Sequence, residues 1–225
     1  MSAAAPRYKM AIFDFDGTLA DSGDWFLSVA DDLADRFRFR KVAPDEVEQL
    51  RGRTTREVIR YLGIPRWKLP MIARHLHRLL AGQTDRIPLF DGVEAMLAGL
   101  QAAGVRLALV TSNAEDNARA ILGEANVARF EQLECGASLF GKAPRYRRVL
   151  RRAGLEPGDV LSIGDETRDI TAARKVGIDT AAVLWGYARR DILTALNPTL
   201  LFESPAEVLG RLVAEPAALP QGRTG

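Results

Sequence analysis

Short apolar runs that end in polar residues recur along this chain and limit the folds open to it. Three of them read KMAIFDF, VRLALVT and DVLSIGD, and a fourth reads DTAAVLWG. Segments with helical spacing of apolar residues accompany them, namely GVEAMLAGLQAAG, AEDNARAILGEA and TAARKVGI. Buried parallel strands have this near-continuous apolar character, and strands that alternate with helices form a parallel sheet. We therefore predict an α/β fold whose ligands gather at the carboxyl ends of the strands.

The segment from residue 23 to residue 86 breaks this alternation. It holds no strand-like run and is rich in Arg, Leu and helical periodicity, as in DWFLSVADDLADRFRF, TTREVIRYLG and LPMIARHLHRLLAG. We interpret residues 23–86 as a helical cap inserted after the first strand, with residues 1–22 and 87–213 forming the core. Residues 214–225 are rich in Pro and Gly, and we expect them to form a disordered tail.

Composition narrows the classes of partner. With 225 residues, 47% of them hydrophobic and 27% charged, the chain is long enough for a large buried core. The net charge of +2 gives no global field suited to nucleic acid, so we expect small solutes as partners. The single cysteine, Cys135, suits a reducing compartment, and no apolar run approaches the length of a membrane span. We expect a cytoplasmic protein without nucleic-acid or membrane partners, and the sequence assigns no oligomeric state.

The first apolar run ends in the stretch FDFDGTLADS, which places Asp14 and Asp16 one residue apart. Side chains alternate along a strand, so we expect the two carboxylates to share a site, where they need a cation or a shared proton. A calcium-binding loop starting at Asp14 would need Gly at position 19 and Glu at position 25. The sequence has Leu19 and Trp25 there, so the spacing does not fit. A strand that runs into a solvated acidic turn stays open as the alternative.

The second apolar run ends in LVTSN, which offers a hydroxyl and backbone N–H groups. The Thr111 hydroxyl and the N–H groups of Ser112 and Asn113 are the donors that a phosphate oxygen needs. The same residues also suit the N-terminal cap of the following helix. Both functions are compatible, because the start of a helix is itself an anion site.

Further polar residues lie shortly before the third apolar run and at its end. Lys142 comes directly after a Gly, and a solvated Lys is the simpler interpretation. Asp165 ends the run DVLSIGD, and Asp169 comes four residues later, so a helix starting here would place both carboxylates on one face. An acidic first turn that complements the helix dipole is the alternative. Three arginines at helical spacing are interpreted as a solvated face: Arg145, Arg148 and Arg152.

Together, the motifs DFDGTLADS, VTSN, GK and GDETRD resemble those of the haloacid dehalogenase-like hydrolase superfamily. The chain is most similar to the phosphoglycolate phosphatase-like branch, over about residues 9 to 202. The resemblance implies a Rossmann-like parallel sheet core, with an α-helical cap inserted between the first and second motifs.

The resemblance also implies a reaction and its residues. Asp14 would attack phosphorus to form an aspartyl-phosphate, while Asp16 would protonate the leaving alcohol and then activate water. Mg²⁺ would be held by the Asp14 side chain, the Asp16 backbone carbonyl and Asp165. Lys142 would supply further positive charge, and Asp169 would orient Lys142.

The same resemblance implies residues that hold the substrate. The phosphate would lie against Gly17, Thr18, Thr111, Ser112 and Asn113. In the cap, the segment LRGRTTREVIRYLG resembles one that faces the site, which makes Arg53 the candidate substrate contact. Alternatively, Arg53 only precedes a helix, because Thr54 and Glu57 have the spacing of a capping box.

The function implied is Mg²⁺-dependent hydrolysis of a small phosphate ester, with 2-phosphoglycolate as the first choice of substrate. A sugar-phosphate phosphatase and a β-phosphoglucomutase-like phosphomutase are the alternatives within the family. A haloacid dehalogenase would need neither Asp16 nor Mg²⁺. A non-enzymatic phospho-accepting regulatory module is the alternative from a different class, but receiver domains carry their acceptor Asp later in the chain and lack an inserted cap.

Overall fold

The computed structural model describes residues 6–136 and 141–213, and these contain one sheet of six strands. The strand order is β3-β2-β1-β4-β5-β6, and every neighbouring pair is parallel. The strands are β1 (Met10–Phe13), β2 (Arg106–Val110), β3 (Phe130–Glu134), β4 (Val160–Gly164), β5 (Asp179–Val183) and β6 (Leu200–Phe202). The predicted α/β fold with a parallel sheet is confirmed.

Helices fill the connections between the strands. Between β1 and β2 lie α1 (Gly23–Phe37), α2 (Val47–Arg51), α3 (Thr55–Tyr61) and α4 (Leu69–Ala81), here called the cap helices, followed by α5 (Val93–Ala102). The remaining helices are α6 (Glu115–Val127), α7 (Ala143–Ala153), α8 (Thr167–Arg174), α9 (Arg190–Thr194) and α10 (Pro205–Val213). The boundaries proposed for the cap stay predictions, and the proposed disordered tail lies outside the described residues.

The described helices do not include one that combines the length and the apolar character needed to cross a bilayer.

The central strand β1 joins two hydrophobic clusters, one on each face of the sheet. Ala11 and Phe13 belong to the larger cluster, which includes residues of α1, α5 and α10. Met10 and Ile12 belong to a second cluster with Tyr146 of α7. All four residues of β1 are buried. The strand is therefore anchored from both faces, as its near-continuous apolar sequence predicts.

Two of the strands carry no strong sequence signal. The strand β3 reads FEQLE and buries its first, third and fifth residues, while β6 has only three residues. Both lie at the edges of the sheet. Edge strands are often short or charged, which limits pairing with other chains and also hides them from a search for apolar runs.

The register of the central strands brings the predicted motifs to one edge. Phe13, the last residue of β1, pairs with Leu109 of β2 and with Ile163 of β4. The residues that follow these strands therefore emerge side by side. Asp14, Thr111 and Asp165 come from these three strand ends, so the motifs meet although they are far apart in sequence.

Candidate active site

Asp14 directly follows β1 and is 3% exposed. Its Oδ1 accepts a hydrogen bond from the Phe15 N–H at 2.7 Å and lies 2.6 Å from Lys142 Nζ. Its Oδ2 is buried and has no partner among the described residues. Burial and the Asp169 carboxylate raise the pKa of Asp14 to about 7, although Lys142 acts in the opposite direction. The Asp14 carboxylate is therefore held firmly while one oxygen stays available.

Lys142 lies at the start of α7 and is 6% exposed. Its Nζ lies 2.5 Å from Asp169 Oδ1, and Asp169 Oδ2 accepts a hydrogen bond from the Glu166 N–H at 3.1 Å. Burial lowers the pKa of Lys142, but Asp14 and Asp169 raise it by more, so the net shift is upward. Lys142 is thus a fixed cation between two carboxylates, and not the solvated Lys of the simpler interpretation.

Asp165 follows β4 and is fully buried. Its Oδ1 accepts a hydrogen bond from the Thr18 hydroxyl at 3.0 Å, and its Oδ2 accepts one from the Tyr187 N–H at 2.9 Å. Burial, followed by the charges of neighbouring carboxylates, raises the pKa of Asp165. Gly17 allows this close packing, because its φ is +78° and an added Cβ would lie 2.3 Å from Asp165 Oδ2.

Three buried carboxylates form a group that fits a divalent cation. Oxygens of Asp14, Asp165 and Asp169 all lie within 4.8 Å of one another. Lys142 contacts two of the three and supplies one positive charge. Since buried carboxylates repel one another unless paired, the unpartnered Oδ2 of Asp14 is a ready ligand for a cation. The prediction assigned Asp16 to the metal through its backbone carbonyl, an atom outside this carboxylate group.

The carboxylate of Asp16 has different partners from that of Asp14. Its Oδ1 accepts a hydrogen bond from the Ser22 hydroxyl at 2.9 Å, and the Asn113 amide lies 3.2 Å from Oδ2. The Ser22 hydroxyl is in turn 2.5 Å from the Tyr187 hydroxyl. Burial raises the pKa of Asp16, partly offset by the hydrogen bonds from Ser22 and Asn113. The raised pKa favours a neutral acid that can donate a proton.

The residues after β2 are brought to the same edge. Thr111 is fully buried, and its hydroxyl oxygen accepts a hydrogen bond from the Asn113 N–H at 3.0 Å. The residue that caps α6 is Ala114, so Thr111 is not the helix cap of the alternative interpretation. The backbone N–H of Asn113, the group predicted to face phosphate, thus has a partner already, and the Asn113 side chain contacts Asp16. Ser112 lines two cavities, of about 640 and 520 Å³.

Arg53 lies apart from these groups. Its guanidinium carbon is 4.7 Å from the centre of the Tyr61 ring, and it lines a small cavity of about 160 Å³. The capping box is present, since the Glu57 N–H donates to the Thr54 hydroxyl at 3.3 Å and Glu57 accepts from the Thr54 N–H at 2.8 Å. Arg53 shares that cavity with Glu166 and Tyr187, but among the described residues it makes no contact with the strand-end cluster, which consists of Asp14, Lys142, Asp165 and Asp169.

Arg51, two residues earlier, is the cap arginine that reaches the core. Its Nε donates to the Tyr187 carbonyl at 2.9 Å, and its Nη2 donates to the Gly186 carbonyl at 3.1 Å. These carbonyls lie beside the Tyr187 N–H that binds Asp165. The segment LRGR contains both arginines, and nothing in its pattern favours Arg51 over Arg53.

Sequence reasoning also missed a polar contact between cap and core. The Thr55 hydroxyl donates to Glu166 Oε2 at 2.5 Å, and Arg168 Nη2 lies 3.0 Å from Glu166 Oε1. The charge of Glu166 is the main cause of a raised pKa at Arg168. Both Glu166 and Arg168 lie inside the motif GDETRD, so their position between two predicted site residues was the available signal.

A cavity of about 640 Å³ opens beside the cluster. Asp16, Ser112, Asn113 and Arg168 belong to its wall, together with residues of the cap helices α1, α2 and α4. Cavities of this size hold small molecules. The site thus combines buried carboxylates, a buried cation and room for a ligand at the carboxyl ends of parallel strands.

Known proteins resemble this chain in sequence. Residues 11–183 match the family model described as haloacid dehalogenase-like hydrolase. A phosphoglycolate phosphatase of Synechococcus elongatus is 33% identical over 199 residues, which cover 88% of this chain and 94% of that protein. The tyrosine-protein kinase PtkA of Mycobacterium tuberculosis is 31% identical over 197 residues, which cover 86% of this chain and 68% of that protein.

Solved structures resemble this chain in fold. A haloacid dehalogenase-like family hydrolase from Streptococcus pneumoniae matches with a TM-score of 0.76, covering 91% of this chain and 98% of that one. The two sequences are 19% identical, so this likeness establishes the fold alone.

Proposed function

Because this chain belongs to the haloacid dehalogenase-like hydrolase family and is a phosphatase, we propose that it hydrolyses small organic phosphate monoesters through an aspartyl-phosphate. We propose Mg²⁺ as its cation and 2-phosphoglycolate as one of its substrates. The observation that carries the reaction is the buried cluster of Asp14, Lys142, Asp165 and Asp169. The relative from Synechococcus elongatus, named phosphoglycolate phosphatase, supports the substrate.

The proposed cation ligands are the carboxylates of Asp14 and Asp165 and the backbone carbonyl of Asp16. Oxygen ligands of this kind suit Mg²⁺, and the unpartnered Oδ2 of Asp14 supports the assignment. When bound, Mg²⁺ supplies positive charge next to the phosphoryl oxygens. Lys142 adds a further charge, and its contact with Asp169 keeps its ammonium group in place.

In the first proposed step, a carboxylate oxygen of Asp14 attacks phosphorus while the bond from phosphorus to the leaving oxygen breaks. Asp16 donates its proton to that oxygen, so the alcohol leaves neutral. The hydrogen bonds from Ser22 and Asn113 hold the Asp16 carboxyl in one orientation for this transfer.

In the second proposed step, the Asp16 carboxylate takes a proton from water as the water oxygen attacks phosphorus. The bond between phosphorus and the Asp14 oxygen breaks, which releases phosphate and restores both aspartates. The donors proposed for the phosphoryl oxygens are the Thr111 hydroxyl and the backbone N–H groups near Gly17 and Ser112. Thr18 supports the site through its hydrogen bond to Asp165.

The covalent step can be tested by chemical trapping. The protein is mixed with Mg²⁺ and 2-phosphoglycolate, quenched in acid during turnover and reduced with borohydride, which converts an aspartyl-phosphate into homoserine. Peptide mass spectrometry should find this modification at Asp14. Turnover without modification at Asp14, or modification elsewhere, would contradict the proposed nucleophile.

The cation is tested on chelator-treated protein. Phosphate release should be lost in excess chelator and return with Mg²⁺, whereas Ca²⁺ should not restore it because its looser coordination disturbs in-line attack. Full activity in the chelator would remove the metal from the proposal. A panel that includes sugar phosphates distinguishes the alternative substrates.

One relative is named as a kinase, so phosphoryl transfer to tyrosine is the second function to test. Incubation with ATP, Mg²⁺ and a tyrosine-containing peptide should give free phosphate or no reaction. Formation of phosphotyrosine would instead establish a kinase activity for this chain.

A further inference from the structure

The cavity of about 640 Å³ beside Asp16 has largely apolar walls. Its apolar residues come from both sides of the cleft between the cap helices and the core. They include Trp25, Phe26, Leu27, Leu76, Phe90 and Trp185. A two-carbon ester such as 2-phosphoglycolate would fill only a small part of this space. Apolar and aromatic walls of this kind are typical of pockets that bind organic groups.

The ionisable residues of the same cavity do not favour a second anionic group on the substrate. His77 also lines the cavity, and burial lowers the pKa of this side chain. The cavity is also lined by four carboxylic acids: Asp16, Asp21, Asp24 and Glu166. Asp21 and Asp24 are exposed, so their charges face whatever enters.

Two guanidinium groups line the cavity, and both have protein partners. Arg51 donates to the carbonyls of Tyr187 and Gly186, and Arg168 pairs with Glu166 at 3.0 Å. The Nε of Arg168 is buried and has no partner among the described residues, which leaves one N–H for a phosphoryl oxygen. A carboxylate elsewhere on the substrate would therefore meet guanidinium groups that protein atoms already hold in part.

A second cavity, of about 520 Å³, has the opposite character. The described residues that line it include no Asp or Glu, and its cations are Arg56, Lys142, Arg145, Arg168 and Lys175. Ser112 and Arg168 line both cavities, so the two cavities adjoin each other at these residues. Negatively charged parts of a substrate are favoured in the basic cavity of about 520 Å³. The apolar cavity of about 640 Å³ is then left for an uncharged group.

We propose that the apolar cavity binds an aromatic group on the alcohol portion of a phosphate monoester, so that arylalkyl phosphates are a further substrate class of this protein. This proposal rests on the phosphatase function proposed above, and it adds a preference for esters whose alcohol carries an aromatic ring. The ring of Phe26 already lies edge-on to that of Tyr187, with their centres 6.3 Å apart. A substrate ring entering the cavity can join this aromatic cluster and bury its apolar surface.

The test compares 2-phenylethyl phosphate with ethyl phosphate. Both are esters of primary alcohols, so the chemistry at phosphorus is closely matched and the aromatic ring is the main difference. With Mg²⁺ present, kcat/KM should be about tenfold or more higher for the ester with the ring. Leu27→Ser should reduce this ratio at least about threefold, because Leu27 is 51% exposed and lines the cavity.

Met71→Ser is the matched control, since Met71 is 44% exposed on the cap helix α4 and does not line the cavity. It should leave the ratio unchanged. If ethyl phosphate and 2-phosphoglycolate are hydrolysed but the ring gives no advantage, the aromatic site is rejected while the phosphatase function stands. If no ester is hydrolysed, both are rejected. A ratio that falls equally in Leu27→Ser and Met71→Ser would also reject the aromatic site.

Discussion

The carboxylate cluster at the strand ends and the cap helices α2 and α3 differ in how firmly the fold holds them. Asp14, Asp165 and Asp169 are at most 3% exposed, and each makes hydrogen bonds or ion pairs with neighbouring elements. The cap helices α2 and α3, in contrast, contain no buried residue. A buried polar cluster in which most groups are paired tolerates few changes, whereas a half-exposed surface tolerates many. We infer that the core fixes the reaction while the cap sets which substrates reach it.

The largest effect should come from replacing the proposed nucleophile. Asp14→Asn should reduce kcat by about 10⁴-fold or more, because an amide cannot form the acyl phosphate. Phosphate release from 2-phosphoglycolate measures the loss. Asp159→Asn is the control, since Asp159 carries the same charge but pairs with Lys9 at the surface. Near-native turnover by Asp14→Asn would contradict the claim that the core fixes the reaction.

The stability of the core cluster should depend strongly on Lys142, the cation in direct contact with two of its carboxylates. Lys142→Met leaves the buried carboxylates of Asp14 and Asp169 without their partner, which should lower the free energy of unfolding by about 3–5 kcal/mol. Lys9→Met removes a surface ion pair and should cost less than about 1 kcal/mol. Urea denaturation of the metal-free proteins measures both. Equal losses of unfolding free energy in Lys142→Met and Lys9→Met would show that the buried ion pairs contribute no more to stability than the surface pair.

Metal-free protein should lose stability as the pH rises from about 5 to about 7. The folded state raises the pKa of Asp14 from 3.8 to about 7, so in this range it keeps a proton that the unfolded chain has released. Stability then falls with rising pH. Asp16 and Asp165 shift in the same direction. Thermal unfolding at pH 5 and pH 7 in chelator measures the difference.

Asp14→Asn should weaken this pH dependence, and Mg²⁺ should restore stability at pH 7 because it binds the charged carboxylates. Carboxylates with lowered pKa values act in the opposite direction near and below their ordinary pKa of 4.5; examples are Glu46, Glu57 and Glu131. His75 and His77, whose pKa values burial lowers from 6.5, also act in the opposite direction, and they do so within this range. The contribution of the cluster is therefore the difference between the wild type and Asp14→Asn. A pH dependence between pH 5 and pH 7 that is the same in metal-free wild type and metal-free Asp14→Asn would contradict the electrostatics of the cluster.

The smallest effect should come from the cap arginine predicted from sequence. Arg53 stacks on Tyr61 outside the larger cavity, so Arg53→Ala should change kcat/KM for 2-phosphoglycolate by less than about twofold. Arg51→Ala removes two contacts with the core and should have the larger effect. A selective rise in KM for 2-phosphoglycolate in Arg53→Ala would instead support the sequence-based hypothesis.

The positions of the central strands and the meeting of the motifs could be predicted from the sequence. Parallel strands bring their carboxyl ends together whatever the length of the connections, so Asp14, Thr111 and Asp165 are expected to be neighbours. The sequence also led us to expect that the carboxylates of Asp14 and Asp16 share one site, and here the structure differs. The strand β1 ends at Phe13, so strict alternation does not extend to Asp16, and the carboxylates that crowd Asp14 are those of Asp165 and Asp169.

Contacts made by side chains across the fold could not be predicted from spacing. The spacing of the α7 arginines predicts a solvated face, and Arg148 and Arg152 are indeed exposed, but the spacing does not show that both also pair with Glu134, which is only 5% exposed. The partner lies on β3, an edge strand that the search for apolar runs does not find. The choice between Arg51 and Arg53 likewise depends on where the loop after β5 lies, which local pattern does not encode.

The division between core chemistry and cap selectivity is tested most directly by one matrix of kinetic measurements. It takes kcat/KM for 2-phenylethyl phosphate and ethyl phosphate in the wild type, Asp16→Asn and Leu27→Ser. Asp16→Asn should lower both values by the same factor, about 10²–10⁴, because it removes proton transfer common to both esters. Leu27→Ser should lower the ratio between them. A changed ratio in Asp16→Asn, or an equal loss on both esters in Leu27→Ser, would contradict the division.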